Sequence, residues 1–413
     1  MKTILRKIYN SGIKRMLPDS FRMWLKQKDS VCYPIIKNPE EVFEKVYHIK
    51  DATWEPFYMP DIYHLRQGLK GALYHKAQDI LLINEEGTLA ANSDVICTSQ
   101  GVVWDKYYED VFPYMKVFDE NVYKHEGNAI WLRNADKEIY VQGNCFSMLG
   151  TFSTIWSHFL IQFLPKLYYA EEAGLLDQEI TLLLPYYKDS QVAYLVDKVL
   201  ERHPKLKVLK DCPTDYRKNY RCQKLYYIPT ASLVSNDYVY PSMLHYVIPM
   251  RVIDIIKNNV VKPEIAKLSH QKSPNKKIYL VRRTYRVPVE VEKIENFFEQ
   301  EGFLLIEPHK LSFQEKVSIF QQASIIVGPH SSAWSNLIFA NNNPKCLMFS
   351  SINWIDDTYG GYLNQNFNYT IMQVAGNADG KYDDIHYDHH NYDLTLEKVK
   401  NAYFELLQNK NQN

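Results

Sequence analysis

The sequence predicts an α/β fold with two nucleotide-binding-type units in one chain. Three observations carry this. At 413 residues the chain exceeds the size at which one hydrophobic core stops growing, so two units are expected. Continuous apolar strands alternate with amphipathic helices through the second half, the pattern of a parallel sheet covered on both faces. The composition, 46% apolar and 23% charged, is that of a soluble globular protein.

The elements follow in chain order. Residues 1–50 form a basic segment expected to be helical. Up to position 28, Lys2, Arg6, Lys7, Lys14, Arg15, Arg22, Lys26 and Lys28 face a single acid, Asp19, and are interleaved with Ile4, Leu5, Ile8, Ile13, Leu17, Phe21, Trp24 and Leu25. Two readings stand: an amphipathic surface for an anionic membrane, or a capping helix packed on the protein's own body, broken at Pro18. From 51 to 150 short extended runs bounded by Asn, Asp and Gly predict a β-rich layer, with strands at Asp79–Ile83, Asp94–Thr98, Ala129–Arg133 and Glu138–Gln142. A helix over Thr154–Ala173 stops at Gly174. Strands at Ile180–Leu184, Lys207–Leu209 and Lys224–Ile228 then alternate with helices at Ser190–Arg202 and Pro241–Asn258, which closes an N-terminal α/β unit at 51–261.

The lysine-, serine- and proline-bearing stretch Lys262–Asn275 reads as a linker. Beyond it the pattern is clearest, in a unit over 276–393. Strand Lys277–Val281, helix Val289–Gln300 ended by Gly302, strand Phe303–Ile306, a helix capped by Ser312 with Glu315 at the capping-box position, strand Ser324–Val327, helix Ser332–Ala340 and strand Cys346–Phe349 follow in turn. This βαβαβαβ series predicts a doubly wound sheet, with ligands beyond the C-terminal ends of its strands. Residues 394–413 form a last helix.

Composition excludes several function classes. Lys+Arg and Asp+Glu both number 48, so no surplus charge is present for nucleic acid. The six cysteines, Cys32, Cys97, Cys145, Cys212, Cys222 and Cys346, contain no Cys-x-x-Cys pair, which fits a reducing compartment without a disulfide framework or zinc site. No run approaches the ~18–20 apolar residues of a membrane span, and no apolar signal core follows Met1, so a cytoplasmic location is expected. The 32 tyrosines supply flat faces and hydroxyls that suit sugar rings as well as cores.

Four places could carry chemistry. The turn Gly328-Pro329-His330-Ser331-Ser332-Ala333 leads from a strand into a helix, where free N–H groups and a partial positive charge suit a phosphate. After another strand, Arg282 and Arg283 place guanidinium forks toward the same crevice; only one of the two neighbours can make the closest contact, and Arg286 reads as solvated. His158, with an ordinary pKa of about 6.5, suits a general base for a hydroxyl, although a hydrogen-bonded core histidine between Trp156 and Phe159 is the competing reading. The run from His386 to Asp393, with His389 and His390, matches no standard metal spacing, and no metal is expected.

Two blocks of these residues resemble glycosyltransferase family 61, the group that includes bacterial capsular polysaccharide biosynthesis proteins. The long block runs from Lys277 to Ala340, with Arg282-Arg283, Arg286, Glu290, Gly302-Phe303, Leu311-Ser312, and Gly328-Pro329-His330-Ser331-Ser332-Ala333-Trp334-Ser335-Asn336 in place of the family's Gly-Pro-His-Gly-Ala-Gly-x-x-Asn. The short block is His158-Phe159-Leu160 leading to Leu164-Pro165. The chain departs from the pattern at Ile155 and Val289, where Asn is usual, at Ser331 and Ala333, where glycines are usual, and at Met348, where an acid often stands.

The resemblance implies a GT-B-like arrangement, two Rossmann-type domains facing a central cleft, and inverting, metal-independent transfer from a sugar nucleotide. No cofactor is implied beyond this co-substrate, a UDP-sugar being the expected one. It implies donor contacts from Arg282, Arg283, Gly328, Pro329, His330, Ser331, Ser332 and Asn336, support from Arg286 and Glu290, and a catalytic or acceptor-site role for His158. The absence of any Asp-x-Asp sets the chain apart from Mn²⁺-dependent one-domain glycosyltransferases. The expected acceptor is a glycan or lipid-linked glycan of a bacterial capsule or surface polysaccharide, met in the cytoplasm or at the inner face of the membrane. Two rivals remain on the residues alone: a polysaccharide pyruvyltransferase using phosphoenolpyruvate, and a non-catalytic subunit that binds sugar nucleotide or glycan.

Overall fold

The computed structural model describes residues 30–408, apart from 60, 66, 68, 76, 84, 91–92, 105–118, 120, 185–189, 210–217, 230, 235–245, 268–274, 341–342, 353–369 and 379–390. The basic run 1–28, the histidines 386, 389 and 390 and the first residues of the helix expected from Pro241 lie outside the described residues.

Residues 30–50 are mainly extended where helix was expected, with one short 3₁₀ turn at Pro39–Glu41. Ser30–Pro34 joins a three-stranded antiparallel sheet with Ala129–Arg133 and Val122–Glu126, and Phe43–Lys50 pairs with Gln78–Ile83. Val31, Tyr33, Val46, Tyr47 and Ile49 are β-branched or aromatic, types that favour a pleated strand over a helix. The strand Asp61–Ile62 leaves this layer and pairs with the C-terminal sheet, so the sheets do not divide where the expected units do.

The N-terminal parallel sheet is built from β1 (Lys137–Ser147), β2 (Ile180–Leu183), β3 (Leu206–Val208) and β4 (Lys218–Tyr227), in spatial order β3-β2-β1-β4. The far edge of β4 takes the antiparallel strands Gln78–Ile83 and Gly87–Ala90. Between β1 and β2 runs one long helix in three parts: α1 (Trp156–His158), a π-helical turn Phe159–Phe163 and α2 (Leu164–Glu172). Ser190–Leu200 forms α3.

A second helix has the same three-part build: α4 (Met250–Ile256), a π turn Lys257–Val261 and α5 (Lys262–Lys267). Each π turn is followed by proline at the second position of the next part, Pro165 and Pro263. Proline has no N–H to donate and its ring presses on the carbonyl four residues back. The wider turn, with Leu164 N–H on the Phe159 carbonyl and Lys262 N–H on the Lys257 carbonyl, carries the helix past that point. The expected linker therefore begins as helix, and α4–α5 packs against α2 on one side and C-terminal elements on the other.

The C-terminal sheet comprises β5 (Lys276–Leu280), β6 (Leu304–Ile306), β7 (Ala323–Pro329), β8 (Lys345–Ser351) and β9 (Thr370–Ala378), all parallel, in order β6-β5-β7-β8-β9. Helix α6 (Val291–Gln300) stops where Gly302 takes φ +81° and Phe303 N–H reaches back to the Phe298 carbonyl. Helix α7 (Phe313–Gln321) carries the expected capping box between Ser312 and Glu315. The last helix, α8 (Leu396–Gln408), belongs to this unit: Val399, Tyr403 and Leu406 pack with Phe298 and Phe303.

Both sheets have the strand order of doubly wound folds, which reverses direction at one point, and ligands bind there, outside the strands' C-terminal ends. In the N-terminal sheet the reversal lies between β1 and β4, and in the C-terminal sheet between β5 and β7. One hydrophobic core continues through both halves, with Leu164, Val196 and Ile256 in the same cluster as Ile278, Phe313 and Trp334.

Candidate active site

The bend after β7 is held from three directions. Gly328 has φ +151°, and a Cβ there would lie 2.6 Å from the Leu280 carbonyl oxygen, so only glycine lets β7 close against the end of β5. His330 N–H donates to the Phe349 carbonyl at the end of β8, at 2.8 Å. Beneath, the buried Trp334 donates its indole N–H to the Pro329 carbonyl at 3.1 Å.

The expected α-helix at 332 is instead a 3₁₀ helix, Ser332–Phe339. Its own side chains tighten it: Ser335 Oγ donates to the Ser332 carbonyl and Asn336 Nδ2 to the Ala333 carbonyl, each three residues back at 2.7 Å. The first helical bond runs from Trp334 N–H to the Ser331 carbonyl, which leaves the N–H groups of Ser332 and Ala333 outside the helical ladder. Ser331 is fully extended, and its hydroxyl caps nothing. Two N–H groups and a hydroxyl thus stand at the half-buried start of this helix.

Of the two arginines after β5, Arg282 faces this bend. Its NH1 donates to the His330 carbonyl at 2.6 Å and its Nε to the Tyr285 carbonyl at 2.7 Å. Arg283 turns the other way, onto Glu295 of α6 at 2.6 Å. Two guanidiniums lie within cation–π reach of the Tyr285 ring, Arg282 at 4.7 Å and Arg286 at 5.4 Å, and Arg286 takes φ +60°. Burial lowers the Arg282 pKa from its ordinary value, and the neighbouring Arg286 lowers it further. Among the described residues no carboxylate pairs with Arg282; its partners are two carbonyls. A partly desolvated guanidinium without a counter-charge is a place for an anion. Glu290 is turned away from this crevice: it accepts from Leu396 N–H at 2.7 Å and Lys293 at 2.6 Å, tying α6 to α8.

His158 sits at the corresponding place in the N-terminal sheet. The turn between β1 and α1 is pinned from below by two buried acids. Asp94 accepts from Thr151 N–H at 3.0 Å, and Asp119 accepts from the hydroxyls of Ser93 and Thr151. Phe152, at φ +65°, lays its ring 5.1 Å from the His158 imidazole. His158 Nδ1 is 2.6 Å from Gln162 Oε1, one π turn further along.

The two blocks meet. Trp156 Nε1 donates to Asn336 Oδ1 at 2.8 Å, directly linking the helix that carries His158 to the helix that follows the bend. Lys316 of α7 lies over the same indole, 4.4 Å from the ring centre. Asn336 is only 1% exposed and both ends of its amide are engaged, so it ties the halves together. Sequence reasoning did not single out Trp156, Gln162, Tyr285 or Lys316. Gln162 lies inside the short block and Trp156 two residues before it, where their types alone carry no chemistry, and Lys316 has the pattern of a solvated helix face.

In this α/β protein a half-buried arginine thus stands at the reversal point of one parallel sheet and a histidine at that of a second. Residues 156–348 match the family model described as Glycosyltransferase 61. The matched stretch opens at Trp156, closes at Met348 in the middle of β8, and contains His158, Arg282 and the whole bend. It implies a glycosyltransferase, with a donor and an acceptor substrate. No curated protein matches the chain. No helix among the described residues is long and apolar enough to cross a membrane.

Proposed function

We propose that this protein is an inverting glycosyltransferase of GT-B-like organisation that moves a sugar from a nucleotide donor, a UDP-sugar, to a glycan or lipid-linked glycan acceptor in bacterial capsule or surface polysaccharide synthesis. The observation that carries the donor assignment is Arg282, half-buried against the His330 carbonyl at the β5/β7 reversal with no carboxylate partner among the described residues. Its charge and the N–H groups of Ser332 and Ala333 stabilise the leaving diphosphate, fixed in advance and so needing no reorganisation during reaction. A bound divalent cation is not required for that neutralisation. His158 takes the proton of the acceptor hydroxyl as it attacks the anomeric carbon from the face opposite the diphosphate. The acceptor is met in the cytoplasm or at the inner membrane surface.

Titration calorimetry with UDP and GDP, with Arg282→Ala beside Arg283→Ala, tests the reading. Arg282→Ala is expected to weaken the preferred nucleotide at least ~10-fold, the loss of one charged hydrogen-bonding partner, and Arg283→Ala to leave it within about twofold. Transfer from the matching sugar nucleotide is expected to persist in EDTA. Binding of phosphoenolpyruvate but neither nucleotide, or nucleotide affinity indifferent to Arg282, overturns the assignment.

A further inference from the structure

We propose that Gln162 is a positioning residue that sets the tautomer of His158 and so directs which ring nitrogen receives the acceptor's proton; this rests on the reading of His158 as the base. The argument begins at Ser232, beyond the end of β4. Gln162 places Nε2 at 2.9 Å from the Ser232 carbonyl oxygen. A carbonyl only accepts, so the amide NH₂ must face it and the amide oxygen must face the other way. That oxygen is the atom 2.6 Å from His158 Nδ1. An amide oxygen also only accepts, so Nδ1 carries the proton, and in the neutral imidazole the lone pair is on Nε2. The amide orientation, normally a matter of choice between two similar atoms, is thus decided by the chemistry of its neighbours.

Three features keep this arrangement in place. Gln162 is 2% exposed, so its amide has little room to exchange partners with water. Ser232 is itself clamped to the same helical turn, its hydroxyl donating to the Ile161 carbonyl at 2.8 Å. On the other side Phe152 packs against the imidazole. The chain Ser232–Gln162–His158 crosses from the segment after β4 to the helix after β1, so it spans the reversal point of the N-terminal sheet. During transfer Nε2 takes the hydroxyl proton while the nucleoside diphosphate leaves with the bonding electrons of the anomeric carbon. The Nδ1–H bond to Gln162 persists as the imidazolium forms. Gln162 does for this histidine, without a charge, what a carboxylate does in a hydrolase triad.

Protein labelled with ¹⁵N-histidine, read by long-range ¹H–¹⁵N correlation at pH 8, tests the inference, with the His158 signals assigned by their loss in His158→Gln. The wild type is expected to show the Nδ1–H tautomer. Gln162→Met, close in volume, is expected to shift the ring toward Nε2–H, the form imidazole favours in water, and to lower kcat ~10–100-fold, part of a general base's usual contribution, with UDP affinity within about twofold. Gln162→Glu, which keeps an acceptor, is expected to retain Nδ1–H. An Nε2–H wild type, or a tautomer unmoved in Gln162→Met, overturns the proposal. Transfer unaffected by His158→Gln removes His158 as base, and the spectra, recorded without substrate, still decide what Gln162 does to the ring.

Discussion

The hydrogen bond between Trp156 and Asn336 joins the two blocks of the site, and its removal has a calculable cost. Asn336→Ala orphans two groups at once, the Trp156 indole N–H and the Ala333 carbonyl. A buried group left without its partner costs about 1–3 kcal/mol. Trp156 and Ala333 are each half-buried and recover part of this from water, so the lower part of the range applies, about 2–3 kcal/mol in total. Trp156→Phe keeps the ring near Lys316 but strands Asn336 Oδ1, which is 1% exposed, at about 2 kcal/mol. In the double variant neither half of the bond remains to be stranded, so its cost is expected to fall short of the summed singles by about 1 kcal/mol or more. Urea unfolding followed by far-ultraviolet circular dichroism measures all three without relying on indole emission. Because the bond joins the helix of His158 to the helix that follows the bend, both single variants are also expected to weaken UDP binding. Additivity within about 0.5 kcal/mol would show that the two residues act independently, and the idea that they couple the halves would fail.

Two further outcomes follow from the same geometry. Gly328→Ala forces a positive φ and a Cβ 2.6 Å from the Leu280 carbonyl, and is expected to cost about 3 kcal/mol or more and to abolish nucleotide binding. Gly143→Ala, at φ +82° with nothing within 4 Å, is the control and should cost only about 1 kcal/mol by the same unfolding measurement. Stability is also expected to fall in acid through Glu55. Burial would raise this carboxyl, but hydrogen bonds from Lys50, Thr53 and the Met250 N–H outweigh it and hold the pKa below its ordinary 4.5. A group with a depressed folded pKa stabilises fully above its unfolded value, and that stability is lost as pH falls below about 4.5 through the folded pKa. Glu55→Gln should therefore be less stable than wild type at pH 7 and lose less on acidification. Melting temperatures from pH 7 to pH 3 that run parallel in the two proteins refute this.

The sequence by itself determined what depends on a few neighbouring residues. The alternation of strands and helices over 276–349 was legible because each strand is a continuous apolar run and each helix end carries its own signal, the Ser312–Glu315 capping box or Gly302. The two blocks that hold the site residues were legible for the same reason. Tertiary structure decided how those pieces face one another. Which of Arg282 and Arg283 reaches the bend depends on register with β7 and on Glu295, and neither is encoded in the dipeptide. The 3₁₀ form of 332–339 follows from side chains that take carbonyls three residues back beneath a buried tryptophan, against an ordinary helical pattern. Pro165 and Pro263 are visible in the sequence, yet whether a helix breaks or widens at proline depends on whether packing rewards its continuation, and here both helices continue into the shared core. The contacts on which the chemistry depends, Arg282 to His330, Trp156 to Asn336 and Gln162 to Ser232, join residues 48, 180 and 70 positions apart. Local propensity does not reach across such separations; only the closing of the sheets brings them within bonding distance.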